Sequence, residues 1–364
     1  MKKFTILIAV IALVCFSVPA MANDWNFYGS ARVSTNYVSD DFANSGTSVG
    51  DNDTKDAGTN WLLQGNSRIG ARVKGEKLSG RFEYGTGVNV RLLYGQWDFG
   101  GGKLLVGQDY TPTSQFISTS IYGNIAEDAN LLGTGAFYGS REAQAKLSFG
   151  GFQVALVEND NADDLGSGGD VDVYLPKLEV GWGMGFDTWS FGLMGGAATY
   201  SVQDSPSTVT AGKFSDIDVT SYVIGAMGQA AFGPLTLKAA VSAGQNVGNA
   251  WGSAVSLGSG VLKTDGEDIS DTDAYQGSLV GVFKLSDMWA FEGGVGYRHD
   301  DPDDDGYVDK EMQIYLQAFI TLAPGVYILP EVGLINHYND ANAAGASRSA
   351  GDTFYAGAKW QIDF

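Results

Sequence analysis

The stretch Trp25-Asn26-Phe27-Tyr28-Gly29-Ser30-Ala31-Arg32-Val33-Ser34-Thr35-Asn36-Tyr37 decides the fold. Trp25, Phe27, Gly29, Ala31, Val33, Thr35 and Tyr37 alternate with Asn26, Tyr28, Ser30, Arg32, Ser34 and Asn36. A period of two puts one set on each face of a β-strand. The same dyad returns where Leu63, Gly65, Ser67, Ile69, Ala71 and Val73 interleave with Gln64, Asn66, Arg68, Arg72 and Lys74. Strands of about a dozen residues are twice the usual length.

The same ruler, carried along all 364 residues, predicts sixteen strands. They fall near 25–38, 61–74, 78–84, 88–98, 103–109, 139–149, 152–158, 172–182, 189–200, 218–232, 235–245, 273–284, 289–298, 310–322, 326–336 and 352–364. Tight turns such as Gly75-Glu76-Lys77, Gly100-Gly101-Gly102 and Ala323-Pro324-Gly325 alternate with connections that are mostly long and rich in Asp, Asn, Ser and Gly. Seven short turns at one end and eight longer loops at the other are what sixteen up-and-down strands require. Pro176 and Pro330 lie inside these segments, where a missing ladder donor calls for a bulge or a different register.

The direction each face points separates a soluble sandwich from a membrane barrel. Trp97, Phe99, Phe149, Phe152, Trp182, Trp189, Phe232, Phe283, Trp289, Trp360 and Phe364 fall beside the short turns. Tyr37, Tyr84, Tyr200, Tyr222, Tyr275 and Tyr297 fall toward the long loops. Two belts one strand apart match the two interfaces of a bilayer, and ordinary core aromatics would not sort by strand end. The opposite face carries Arg32, Arg68, Arg72, Arg81, Glu83, Arg91, Lys146, Lys177, Glu179, Lys238, Glu292, Glu311, Glu331 and Lys359. Arg or Lys turned to lipid at the bilayer midplane costs roughly 2–4 kcal/mol, so this face lines a lumen. Sixteen strands leave an aqueous channel there. The expected fold is all-β, a sixteen-stranded antiparallel transmembrane barrel.

Composition excludes the alternatives. The 51 Gly residues have no three-residue period and Pro numbers only 8, against collagen and Pro-rich disorder. A net charge of −20 argues against nucleic acid, whose phosphates need Lys and Arg. Residues 1–22 read as a cleaved signal peptide: Lys2 and Lys3, the apolar run from Phe4 to Phe16, then Ala20-Met21-Ala22. The branched Val14 before Cys15 disfavours a lipoprotein. The barrel domain then covers 23–364, loses its one Cys and moves from −20 to −22 with the departure of Lys2 and Lys3.

With these readings in hand, the chain resembles the general trimeric porins of Gram-negative outer membranes. The residues that carry the likeness are Asn23 to Ser30, Ser67-Arg68-Ile69-Gly70, and Trp97-Asp98-Phe99-Gly100-Gly101-Gly102-Lys103-Leu104-Leu105-Val106-Gly107-Gln108. Trp360-Gln361-Ile362-Asp363-Phe364 completes it, with Phe364 resembling the family's assembly signal. The resemblance implies a multi-pass barrel in the bacterial outer membrane, a homotrimer passing small hydrophilic solutes and ions by passive diffusion. Its implied partners are outer-membrane lipid, lipopolysaccharide and the assembly machinery. It also implies that the third long loop, Tyr110 to Tyr138, folds inward and narrows the pore. Acidic Glu127 and Asp128 on that loop would then face a basic wall of Arg32, Arg68, Arg81, Arg91 and Arg141. The family's loop tetrad Pro-Glu-Phe-Gly is missing, with Thr113-Ser114-Gln115-Phe116 nearby. Small outward residues Gly65, Ser67, Ala71, Ala356 and Ala358 suit a subunit contact.

Other constellations bear on function. Asp301, Asp303, Asp305 and Asp309 with Gly306 reproduce the first half of a calcium loop, but Met312 stands where the bidentate Glu belongs. This is either a weak external Ca2+ site or a solvated acidic loop. No other cofactor is implied. His299 and His337 lack a Gly-x-Ser-x-Gly elbow, which argues against an enzyme. Two alternatives stay open: an adhesin or structural barrel with a plugged lumen, and a substrate-specific channel.

Overall fold

Each alternating segment pairs with its neighbours in sequence, and the last pairs with the first. The computed structural model describes residues 24–42, 54–121, 128–162, 164–165, 169–206, 214–252, 262–263, 269–303, 308–337, 340–341, 347–348 and 351–364. The expected leader 1–22, Glu127 and Asp305 lie outside these residues.

Among the described residues the wall has sixteen staves. β1 is Asp24–Phe42 and β2 comes in two pieces, Thr54–Leu63 and Arg68–Lys74. β3 (Leu78–Tyr84), β4 (Val90–Asp98), β5 (Lys103–Tyr110), β6 (Arg141–Phe149) and β7 (Phe152–Val157) follow. β8 also has two pieces, Asp170–Asp172 and Lys177–Gly185. β9 (Trp189–Pro206), β10 (Phe214–Phe232) and β11 (Leu235–Gln245) lead to a four-residue helix, α1 (Gly248–Trp251). β12 (Thr272–Lys284), β13 (Trp289–Pro302), β14 (Asp309–Ala323), β15 (Val326–His337) and β16 (Gly351–Asp363) complete the ring. All pairings are antiparallel, and β16 joins β1 from Ser30↔Asp363 to Asp41↔Asp352. Closure leaves no sheet edge, which is what a lipid environment demands of backbone N–H and C=O groups.

Gly29 and Phe364 fasten the seam. The Gly29 N–H donates to the Phe364 carbonyl at 2.6 Å, and the Phe364 N–H returns to Gly29 at 3.1 Å. A Cβ on Gly29 would stand 2.5 Å from the Phe364 ring, so the glycine is the seat of that ring.

Three expectations need correction. The segment expected as one strand over 61–74 is broken at Gln64–Ser67, where the Ser67 N–H bonds back to the Gln64 carbonyl at 2.9 Å. Gly65 and Ser67 therefore sit in a turn, and the Ser67 hydroxyl is spent on the Arg32 backbone. Tyr200 does not join the outer belt: it shares the parity of Gly196 and Ala198, faces inward and is 2% exposed. Its hydroxyl accepts from Asn249 at 3.2 Å. Neither proline forces a bulge or a changed register. Pro176 falls in the gap between the two pieces of β8. At Pro330 the β14–β15 ladder keeps its register, with Gln317↔Glu331 and Ile320↔Ile328, but skips the pairs between.

The two faces divide as their chemistry requires. Trp97, Phe149, Phe152, Trp189, Phe232, Phe283, Trp289 and Trp360 are exposed outward near the short turns, and Tyr37, Tyr222 and Tyr275 near the long loops. Inside, Glu83, Arg91, Lys146, Lys177, Glu179, Glu292, Glu331 and Lys359 are all buried. Charges so placed persist only when paired, and each of them meets a partner in the lumen.

Candidate functional site

The connection from β5 to β6 turns into the barrel and is held there by wall carboxylates. Thr111, Thr113, Gln115, Ile117, Ser120, Ile121, Leu131, Ala136 and Phe137 are buried although they belong to a loop. A buried loop must satisfy its own backbone, and here the wall supplies the acceptors. Thr113 donates its N–H and hydroxyl to Glu179 at 3.3 and 2.8 Å. Thr119 does the same to Glu292 at 2.6 and 2.9 Å. The Ile121 N–H is shared between both oxygens of Glu331 at 3.1 and 3.0 Å. Glu331 is fixed in turn by Gln317 at 2.8 Å and the Tyr355 hydroxyl at 2.9 Å.

The far arm of the loop lies against β12 and β13. Gly135 donates to Gln276 at 3.0 Å and accepts from Ser278 at 2.7 Å. The Thr134 hydroxyl donates to Glu311. Gly296 makes room: a Cβ there would fall 1.8 Å from the Thr134 carbonyl oxygen. Gly135 itself has φ +117°, a conformation open to glycine and strained for other residues.

The five expected arginines fall in three places. Arg32 reaches across to the loop and pairs with Asp128 at 2.8 Å. Lys359 joins the same carboxylate at 3.0 Å. Arg68, Arg81 and Arg91 converge instead on Glu83, at 3.5, 2.8 and 3.0 Å. Tyr28 completes this hub, donating to Glu83 at 2.8 Å while Arg72 and Arg81 stack on its ring. Arg141 lies over the ring of Tyr110, 5.7 Å from its centroid. Tyr110, Phe116 and Tyr138 form an edge-to-face trio beside it.

A cavity of about 480 Å³ opens between loop and wall on the long-loop side. Arg32, Arg68, Arg91, Arg141 and Arg298 border it, against Asp128 and Glu311. Arg81 is not among its lining residues. On the short-turn side a second cavity of about 460 Å³ is bordered by Thr119, Gln229, Lys238, Glu292 and Gln317. The loop thus lies between two chambers, and the one on the long-loop side carries a surplus of guanidinium groups.

The acidic residues at the end of β13 and the start of β14 meet basic side chains of the chain itself. Asp309 accepts from Arg298 at 2.7 Å, and Asp301 lies 3.8 Å from His299. Among the described residues no three carboxylate, His or Cys side chains gather as a metal site. The sequence reading missed Glu83 as an arginine hub, Lys359 as a partner of Asp128, and α1. The first two were visible as inward positions, but their partners depend on cross-strand register.

The model of the Gram-negative porin family matches residues 9–340. No curated protein matches the sequence itself. Among solved structures, the outer membrane channel DcaP of Acinetobacter baumannii superposes with TM-score 0.69 at 16% identity, covering 96% of this chain and 99% of that one. The trimer form of OmpT from Vibrio cholerae gives 0.57 at 18% identity, with 93% and 99% covered. The anion-selective porin from Comamonas acidovorans gives 0.58 at 15% identity, with 94% and 100% covered. At these identities the structures speak to the fold, and the sequence match speaks to the family. The chain therefore belongs to the Gram-negative porins: it is an outer-membrane β-barrel channel and not an enzyme.

Proposed function

We propose that this porin is a passive diffusion channel for small hydrophilic solutes and ions, constricted by the inward loop between β5 and β6. The observation that carries the reading is the anchoring of that loop on Glu179, Glu292 and Glu331, three separate staves of the wall. A loop so tied divides the lumen and leaves passage through the gap it shares with Arg32, Arg68, Arg91 and Arg141. Five arginines against Asp128 and Glu311 make that gap electropositive, so the constriction favours anions. In sequence the acidic surplus falls in the long connections, near 40–56, 158–172, 265–273 and 300–309, so the external mouth is the cation-attracting part of the pore.

The assembly is a homotrimer. Supporting this are the likeness to an OmpT trimer and the small residues Ala356 and Ala358 on β16, beside the seam; Ala71, expected with them, is 0% exposed within the single chain and does not contribute.

The test is single-channel recording in planar bilayers under a salt gradient. Steps occurring in threes with an anion-selective reversal potential are expected. A bilayer that stays silent would refute the channel reading and favour a plugged surface barrel.

A further inference from the structure

The connection from β11 to β12 also turns inward. Val247, Ala250 and Trp251 of this loop are 0, 0 and 2% exposed. Asn246 steers the chain, donating to the Thr220 carbonyl at 3.0 Å and to Asp271 at 2.6 Å. Lys177 Nζ donates to the Ala250 carbonyl at 2.7 Å and lies 5.7 Å from the Trp251 ring. Trp251 Nε1–H donates to Glu179 Oε1 at 2.8 Å, while the other oxygen of Glu179 holds Thr113 of the constriction loop. One buried carboxylate therefore ties both inward loops together. The Trp251 ring meets Phe137 of the constriction loop edge-on, 6.0 Å between centroids.

The wall is shaped to receive this ring. A Cβ on Gly196 would come 2.6 Å from Trp251 Cζ2. Ala198, Val223 and Ala274 point inward at the same place and pack with Val247, Ala250, Trp251 and Phe137 into one apolar cluster. Inward positions of a wet lumen are ordinarily polar. Apolar ones here are explained if a dry plug covers them, because an apolar wall left open would admit water without solvating it.

We propose that α1 and Trp251 form a second plug, a specificity determinant that closes the lumen along β8–β12 and confines solutes to the arginine-lined gap. This rests on the channel reading above. Without the plug a second route, bordered by Lys177 and Glu179 and bypassing the arginines, would lie beside the gap. With it, every solute meets Arg32, Arg68, Arg91 and Arg141.

Trp251→Ala and Trp251→Phe, which keeps an aromatic ring in the seat, test this in planar bilayers. Trp251→Ala is expected to raise single-channel conductance and move the reversal potential toward zero, while Trp251→Phe stays close to the parent. A second readout places Ala198→Cys in the mature chain and follows its reaction with a charged methanethiosulfonate. The reaction should be at least about tenfold faster when Trp251→Ala is added, matching an opening made easier by about 1.4 kcal/mol. Heat-modifiable migration on gels verifies that each barrel has folded. A conducting parent with unchanged conductance in Trp251→Ala, together with an equal thiol rate, overturns the plug. A parent and variants that never conduct overturn the channel reading instead, and the thiol rate then still decides the plug.

Discussion

Gly296→Ala perturbs the constriction loop without touching any charge. The new methyl carbon would lie 1.8 Å from the Thr134 carbonyl oxygen. A relaxed carbon–oxygen contact is about 3.3 Å, so one side must retreat by about 1.5 Å. β13 is locked between two neighbours by continuous ladders, with Gly296 opposite Ser278 and Gln313, and so the loop is the part that moves. A shift of that size breaks the Gly135 bond to Gln276 and the Ser278 bond to Gly135, at about 1 kcal/mol each. The loop thereby loses about 2 kcal/mol of anchoring, while the barrel ladder is untouched. Moving Gly133 and Thr134 away from β13 pushes them into the cavity they share with Arg32, Arg68 and Arg91. Conductance of single channels should fall and open-channel noise should rise, with heat-modifiable migration unchanged. A conductance and noise level equal to the parent's would refute the assignment of this loop as the constriction.

Further outcomes follow from named contacts. Arg68→Glu, at the rim of the Glu83 hub, should move the reversal potential toward cations; an unmoved potential would remove Arg68 from the filter. Arg91 is 2% exposed, so Arg91→Leu should lower the urea midpoint of unfolding more than Arg68→Leu, because breaking a buried pair costs about 3–5 kcal/mol. Equal midpoints would contradict the hub. Pro330→Val should restore a ladder donor where β14–β15 skips its pairs and stabilise the barrel by about 1 kcal/mol, read from the denaturation midpoint. Phe364→Ala strips the ring from its seat on Gly29 and should reduce the yield of heat-modifiable barrel in outer-membrane fractions; an unaltered yield would argue against Phe364 as an assembly signal.

The wall was legible because lipid and lumen impose a period of two that nothing local disturbs. Arg32, Glu83, Glu179, Glu292 and Glu331 could be placed inside from parity alone. Tyr200 was misplaced because nearness to a strand end outweighed its parity with Ala198. The turn at Gln64–Ser67 preserves the alternation on either side, so periodicity ran through it unseen. The partners of the inward charges were hidden for a different reason. That Lys359 and Arg32 meet on Asp128 depends on how a loop folds across some twenty residues of irregular chain. α1 is a four-residue helix, too short for any 3.6-residue period to declare itself. Its burial comes from tertiary packing on Ala198, Val223 and Ala274, which one strand's sequence does not disclose.

The seam has a kinetic meaning. Ser30 pairs with Asp363, more than three hundred residues away, while the other neighbouring staves are joined in sequence by their own connections. Bringing such distant segments together costs about 4 kcal/mol more loop entropy than closing a four-residue turn. Until that cost is met, β1 and β16 each present an unpaired edge to their surroundings. The slow, vulnerable moment in the life of this barrel is therefore the joining of its two end strands, and a chaperone or catalyst acting on it gains most by holding those two edges.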